Sequence, residues 1–152
     1  MGPAFDRSDE FAIDKPACVA CPNLDADDIC SIHNRLEKAG FRGCVLYDCL
    51  GAGQRVVQEL YAGHAWREEP DLLPEMWSAL IALRRVHELI LLLTTAAKAP
   101  LSMKEQATLE ELLRALDPEE GWTPEGLADF AAGPLAEHVL FFLTSLRRHF
   151  TR

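Results

Sequence analysis

No cysteine occurs outside residues 18–49 of this 152-residue chain, although that short stretch contains all five cysteines. Basic residues are also scarce, since 15 Lys and Arg face 24 Asp and Glu and leave a formal net charge of −9. Phosphate binding depends on Lys and Arg that displace counterions, so this charge balance argues against a nucleic-acid partner. Long uninterrupted apolar runs are absent too, because Arg84 and Arg85 divide the most hydrophobic stretch, which argues against a membrane span.

Familiar sequence signatures of catalysis are missing as well. The chain has no Gly-x-Ser-x-Gly elbow, no His-Glu-x-x-His motif and no repeated Glu-x-x-His pair. The glycines at 51 and 53 complete neither a dinucleotide-binding nor a Walker phosphate loop. His87 and His138 fall on apolar helix faces, so each is expected to be a hydrogen-bonded core histidine. We therefore expect a binding or accessory protein rather than an enzyme.

The first 15 residues mix charged and apolar side chains and lack the basic start and apolar run of a secretory signal. We therefore expect a cytoplasmic protein, whose thiols stay reduced. An odd number of cysteines in that compartment favours metal binding or redox chemistry over a framework of disulfides.

The cysteine spacing is typical of a metal site. A Cys-x2-Cys pair is followed by a Cys-x2-His pair and then by two further cysteines. Thiolates and imidazoles bind zinc, and four thiolates also hold a [4Fe–4S] or [2Fe–2S] cluster, so the spacing leaves zinc and iron–sulfur both open. We expect the first four cysteines to be the ligands, with the fifth cysteine and the histidine as alternates or neighbours. The candidate ligands are thus Cys18, Cys21, Cys30, Cys44, Cys49 and His33.

At these residues the sequence resembles the zinc- or iron-chelating YkgJ-like Cys-rich family. The resemblance covers only about residues 17–50 and implies a metal-chelating lobe. The chain departs from the family pattern where the family has an Arg-Pro dipeptide, since Arg35-Leu36 is followed here by a longer insertion. Residues 43–56 also resemble, more weakly, Cys-rich segments of some bacterial pentapeptide-repeat proteins, although this chain contains no such repeats. The pieces that match the first family are Cys18-x2-Cys21, Leu24-Asp25, Cys30-x-Ile32-His33 and Cys44-x2-Tyr47.

Apolar residues at helical spacing predict that the rest of the chain is helical. Ser102 and Glu105 form a capping box, and Thr123 precedes Pro124 as an N-cap. The longest predicted helix, over residues 72–98, is expected to be buried at the centre. Other helices are predicted over residues 31–39, 54–62, 102–116, 123–133 and 134–150, and a strand or loop over residues 41–47.

The sequence thus predicts a mainly α protein, with a four- or five-helix body and an N-terminal Cys-rich metal-binding lobe. Residues 1–52 would form the lobe and residues 53–152 the helical bundle, within one integrated domain. The lobe would hold one zinc ion or iron–sulfur cluster, and a protein partner or a second copy of the chain is expected, without nucleic acid or membrane. The alternatives are an iron–sulfur redox protein or enzyme component, and a thiol redox sensor.

Overall fold

The computed structural model describes residues 3–64 and 66–150. The predicted lobe and bundle also include residues 1, 2, 65, 151 and 152, which lie outside the described residues. The chain divides into two compact units, Met1–Asp48 and Cys49–Arg152. The prediction of a mainly helical protein is confirmed. The described residues contain the helices α1 (Arg42–Leu46), α2 (Ala52–Arg55), α3 (Leu73–Ala96), α4 (Met103–Leu116), α5 (Pro124–Ala132) and α6 (Leu135–Ser145).

The helices of the second unit are arranged around α3. This 24-residue helix contacts α2, α4, α5 and α6, so the central position predicted for residues 72–98 is confirmed. Shorter turns extend its neighbours: a π-helical segment over Val56–Leu60 continues α2, and 3-10 turns over Pro70–Leu72 and Leu146–His149 precede α3 and follow α6.

One side of α3 supplies half of the largest fully buried side chains in the described residues. Because its apolar residues recur every three or four positions, they lie on one face, which is buried against the other helices. Part of the apolar surface stays outside the core, since Leu91 is 53% exposed and Phe141 is 79% exposed. The largest fully buried side chains are Met76, Leu83, Val86, Leu89 and Leu93 of α3, with Val56, Leu116, Leu127, Val139 and Leu146 around them.

Within residues 3–64 and 66–150, no single helix is both long enough and apolar enough to cross a membrane. Only α5 combined with Leu135–His149 meets both criteria, as a pair bent by 56°. The longest helix, α3, carries Arg84 and Arg85, which form ion pairs of 2.8 and 3.3 Å with Glu88.

Both predicted helix caps are confirmed. Oγ of Ser102 accepts from the Glu105 amide at 3.4 Å, and Oε2 of Glu105 accepts from the Ser102 amide at 2.8 Å. Thr123 accepts the Gly126 amide in the same way at the start of α5. Glu105 has a second role, because its Oε1 accepts from Arg148 at 2.7 Å and from His149 at 3.0 Å. The cap of α4 is therefore also bonded to the 3-10 turn that follows α6.

His87 joins α3 to the segment that precedes α2. Its Nδ1 lies 2.7 Å from the carbonyl oxygen of Leu50, which can only accept a hydrogen bond. Nδ1 therefore carries the proton, and Nε2 accepts from Nη1 of Arg55 at 3.2 Å. The hydrogen bonds expected of His87 are confirmed, although the residue is half-buried rather than part of the core. The expectation for His138 is wrong, because that residue of α6 is exposed to solvent.

In the first unit, two predicted elements take other forms. Residues 31–39 form only a 3-10 turn at His33–Arg35, because Ser31, the expected first residue of the helix, donates its hydroxyl to the Asn23 carbonyl instead of capping. The strand or loop predicted over residues 41–47 is also wrong, since α1 lies there. Its Gly43 is buried, and its amide donates to the Glu10 carbonyl at 3.1 Å.

Leu89→Ala is expected to destabilise the second unit by about 2–5 kcal/mol, because Leu89 is fully buried at the centre of α3 and its removal leaves a cavity. Leu91→Ala on the same helix is the control, since this side chain is 53% exposed. Urea unfolding followed by circular dichroism measures both changes. Equal losses of unfolding free energy in the two variants would contradict the burial of Leu89 in the core.

Glu105→Gln is expected to lower the thermal stability near neutral pH. Hydrogen bonds from Ser102, and then from His149, lower the pKa of Glu105 from 4.5 to about 2. The carboxylate therefore stabilises the fold fully above pH 4.5, and this contribution is lost as the pH falls towards 2. The melting temperatures of wild type and variant should converge over that interval. Glu111→Gln, on the exposed surface of α4, should show no such convergence.

Candidate metal centre

An aromatic cluster organises the first unit. The backbone of Phe5 pairs with that of Lys15 through hydrogen bonds of 3.0 and 2.8 Å. The Phe5 ring stacks on Phe11 with centroids 4.1 Å apart, and it meets the ring of Phe41 edge to face at 6.5 Å. Phe41 and Ile32 are the buried large apolar side chains among the described residues of this unit, so its apolar core is small.

The turn that carries the first two cysteines is built around a buried lysine. Lys15 is only 4% exposed, and its Nζ donates to the carbonyl oxygens of Pro16 at 3.1 Å and Val19 at 2.9 Å. The same ammonium lies 5.5 Å from the centre of the Phe5 ring. Burial lowers the pKa of Lys15, and the nearby thiols of Cys21 and then Cys18 act in the opposite direction.

Cys18 itself has a left-handed backbone, with φ of 57°. A residue with a Cβ rarely adopts this conformation, and such strained positions tend to occur at functional sites. The carbonyl groups held by Lys15 lie on both sides of Cys18, so the lysine stabilises the turn in which this strain occurs.

A short polar loop joins Cys21 to Cys30. Oδ1 of Asp25 accepts the amides of Asp27 and Ile29 at 3.0 and 2.9 Å. An isolated antiparallel bridge between Leu24 and Cys30 closes the loop. The chain therefore folds back on itself and returns Cys30 to the level of Leu24.

The cysteines of the chain are all free thiols. Cys44 lies on α1 and is exposed as a residue, yet partial burial of its thiol raises its pKa, and the neighbouring Cys21 and Cys30 raise it further. These three sulfur atoms are therefore close enough to interact electrostatically. Lys15 in turn interacts electrostatically with Cys21 and Cys18.

A finished coordination sphere is not found in the described part of the chain. There, no three or more His, Cys, Asp or Glu side chains are arranged so that they could hold a metal ion together. His33 is exposed in its 3-10 turn and lines a shallow groove with Lys38 and Val45. Cys49 belongs to the second unit, where its thiol donates a weak hydrogen bond of 4.0 Å to Oε1 of Gln54. Ligation by any of the six candidate residues stays a prediction.

Lys15 is the residue of this region that sequence reasoning missed. Lysine side chains are almost always solvated, so a buried lysine was not expected at this position. The only available signal was its place, three residues before the Cys-x2-Cys pair and directly before Pro16.

Comparison with curated proteins finds a relative in Bacillus subtilis strain 168, the uncharacterized protein YybG, which is 35% identical over 114 residues. The aligned region is 72% of this chain but only 41% of YybG, so the chain spans less than half the length of this relative. No family model matches the chain, and no solved structure matches it. The name of the relative assigns no activity.

Gly43→Ala is expected to loosen the first unit, because a Cβ at this position would lie 2.1 Å from Cζ of Phe11 and the stacked ring would have to move. Overpacking of this kind costs about 1–3 kcal/mol. Faster hydrogen exchange at the amide of residue 43 and at Phe5 and Lys15 would show the loss. Gly53→Ala is the control, because its Cβ would make only an ordinary contact of 3.7 Å with Sγ of Cys49. Unchanged exchange in Gly43→Ala would contradict the packing.

Proposed function

We propose that the first unit binds one metal centre, a zinc ion or an iron–sulfur cluster, through Cys18, Cys21, Cys30 and Cys44, and that the protein acts as a metal-binding accessory protein. The observation that carries this proposal is that all four cysteines are free thiols of one compact unit of fewer than 50 residues, with Cys21 and Cys30 near enough to Cys44 to raise its pKa.

The size of the unit supports the proposal. It has fewer than 50 residues, its one α-helix is five residues long, and its buried large apolar side chains in the described residues are Ile32 and Phe41. Folded units of this size usually need disulfides, a metal or oligomerisation for stability. The thiols form no disulfides, so a bound metal would supply the missing cross-link.

The electrostatics support it as well. Thiolates placed near one another repel, which is one reason why the pKa of Cys44 is raised. A divalent cation would remove this repulsion, and its binding would displace protons from the thiols, so affinity should rise with pH. Since the side chains do not yet converge on one point, metal binding would also order the turns that carry them.

Four sulfur donors suit both candidate centres, because zinc takes tetrahedral thiolates and iron–sulfur clusters take four cysteines. The iron–sulfur redox protein or enzyme component therefore remains the first alternative. The exposed Cys44 next to Cys21 and Cys30 favours the second alternative, a thiol sensor that forms disulfides on oxidation. A cytoplasmic location and a protein partner or second copy belong to the same proposal.

Metal analysis of the full chain, purified without oxygen and without a histidine tag, tests the proposal. We expect one zinc per chain in a colourless protein, or iron and sulfide in a brown one. Each of the four single variants should retain much less metal: Cys18→Ser, Cys21→Ser, Cys30→Ser and Cys44→Ser. Cys49→Ser and His33→Ala are the controls and should retain the metal.

Other results would overturn the proposal. Protein that neither retains metal nor binds added Zn²⁺ or Co²⁺ at neutral pH would exclude a metal centre, and disulfides formed by mild peroxide in such protein would support the sensor instead. Equal retention by all of the cysteine variants would show that the metal binds elsewhere.

A further inference from the structure

The buried ammonium of Lys15 has a geometry that surface lysines lack. Its Nζ bridges two carbonyl oxygens, those of Pro16 and Val19, and these residues bracket Cys18. The backbone of Lys15 is in turn fixed by its pairing with Phe5, and its charge lies over the Phe5 ring. The lysine therefore ties the cysteine turn to the aromatic cluster of the unit.

We propose that Lys15 is the positioning residue of the thiolate site: it holds the left-handed turn at Cys18 and places a fixed positive charge beside Cys18 and Cys21. This inference rests on the proposed function. Lys15 itself does not bind the metal, because an ammonium has donors only and no lone pair.

The charge of Lys15 also limits which kind of metal centre the site would bind. A buried cation next to a metal site repels the metal unless the ligands carry more negative charge than the metal neutralises. Four thiolates on a divalent ion leave a net charge of −2, which the ammonium partly offsets. Lys15 therefore favours a centre with a full set of thiolates over one with fewer anionic ligands, and the sulfur donors themselves disfavour hard ions such as Ca²⁺ or Mg²⁺, which bind through oxygen.

Lys15→Met tests the inference, because methionine keeps a long flexible side chain but has neither the charge nor the donors. Lys38→Met is the matched control, since Lys38 is an exposed lysine of the same unit. Zn²⁺ affinity is measured by competition with a coloured chelator, and Co²⁺ spectra report the number of thiolates bound. We expect Lys15→Met to weaken Zn²⁺ binding at least about tenfold, the usual effect of losing a residue that supports metal ligands, and Lys38→Met to bind as wild type.

Hydrogen exchange of the metal-free, reduced protein gives a second readout that does not depend on metal. Amides of residues 17–21 should exchange faster in Lys15→Met than in wild type or Lys38→Met, because the turn has lost its two bridging hydrogen bonds. If metal binding fails in the wild type, the proposed function is wrong, while this exchange still decides whether Lys15 holds the turn.

Amine labelling of the wild-type protein keeps the test valid even if Lys15→Met does not fold. Under mild acetylation followed by mass spectrometry, Lys15 should react far more slowly than Lys38, and added Zn²⁺ should slow it further. Equal labelling of the two lysines, or a folded Lys15→Met variant with wild-type Zn²⁺ affinity and exchange, would overturn the inference and leave the proposed function standing.

Discussion

Burial of one face of α3 is the constraint on which the second unit depends. Its apolar residues contribute half of the largest fully buried side chains in the described residues, and α2, α4, α5 and α6 all pack against it. Hydrophobic burial of this kind is the main favourable contribution to folding. Polar contacts then connect particular segments of the unit: His87 holds the segment before α2, and Glu105 joins the cap of α4 to the 3-10 turn at Leu146–His149.

The first unit is stabilised differently. It has little apolar core, and its order depends on turns, on the ring cluster around Phe5, and on the carbonyl contacts of Lys15. A buried ammonium has to recover the hydration that it loses, and Lys15 does so through two carbonyl groups, an aromatic ring and nearby thiols. The same contacts that make its burial tolerable define the turn that carries Cys18. In this unit, stability and the proposed chemistry therefore depend on the same atoms.

Sequence reasoning succeeded where the signal is local. The capping box at Ser102 and the cap at Thr123 were predictable, because their partners lie three residues away along the chain. It failed where a distant residue decides the outcome. Ser31 bonds to Asn23 instead of capping a helix, and Gly43 lies against Phe11 within α1 rather than in a strand or loop. For His138, helical spacing placed an exposed residue on the wrong side of α6.

The sequence by itself determined that the chain is mainly helical, that its longest helix is central, and that all of its thiols fall within residues 18–49. These features follow from spacing along the chain, which any reader of the sequence can measure. Only the tertiary structure decided which thiols interact, that Cys49 belongs to the second unit, and that a lysine is buried beside Cys18 and Cys21. Such facts depend on how turns bring distant residues together, and the free energy of each turn is set by contacts that lie outside it.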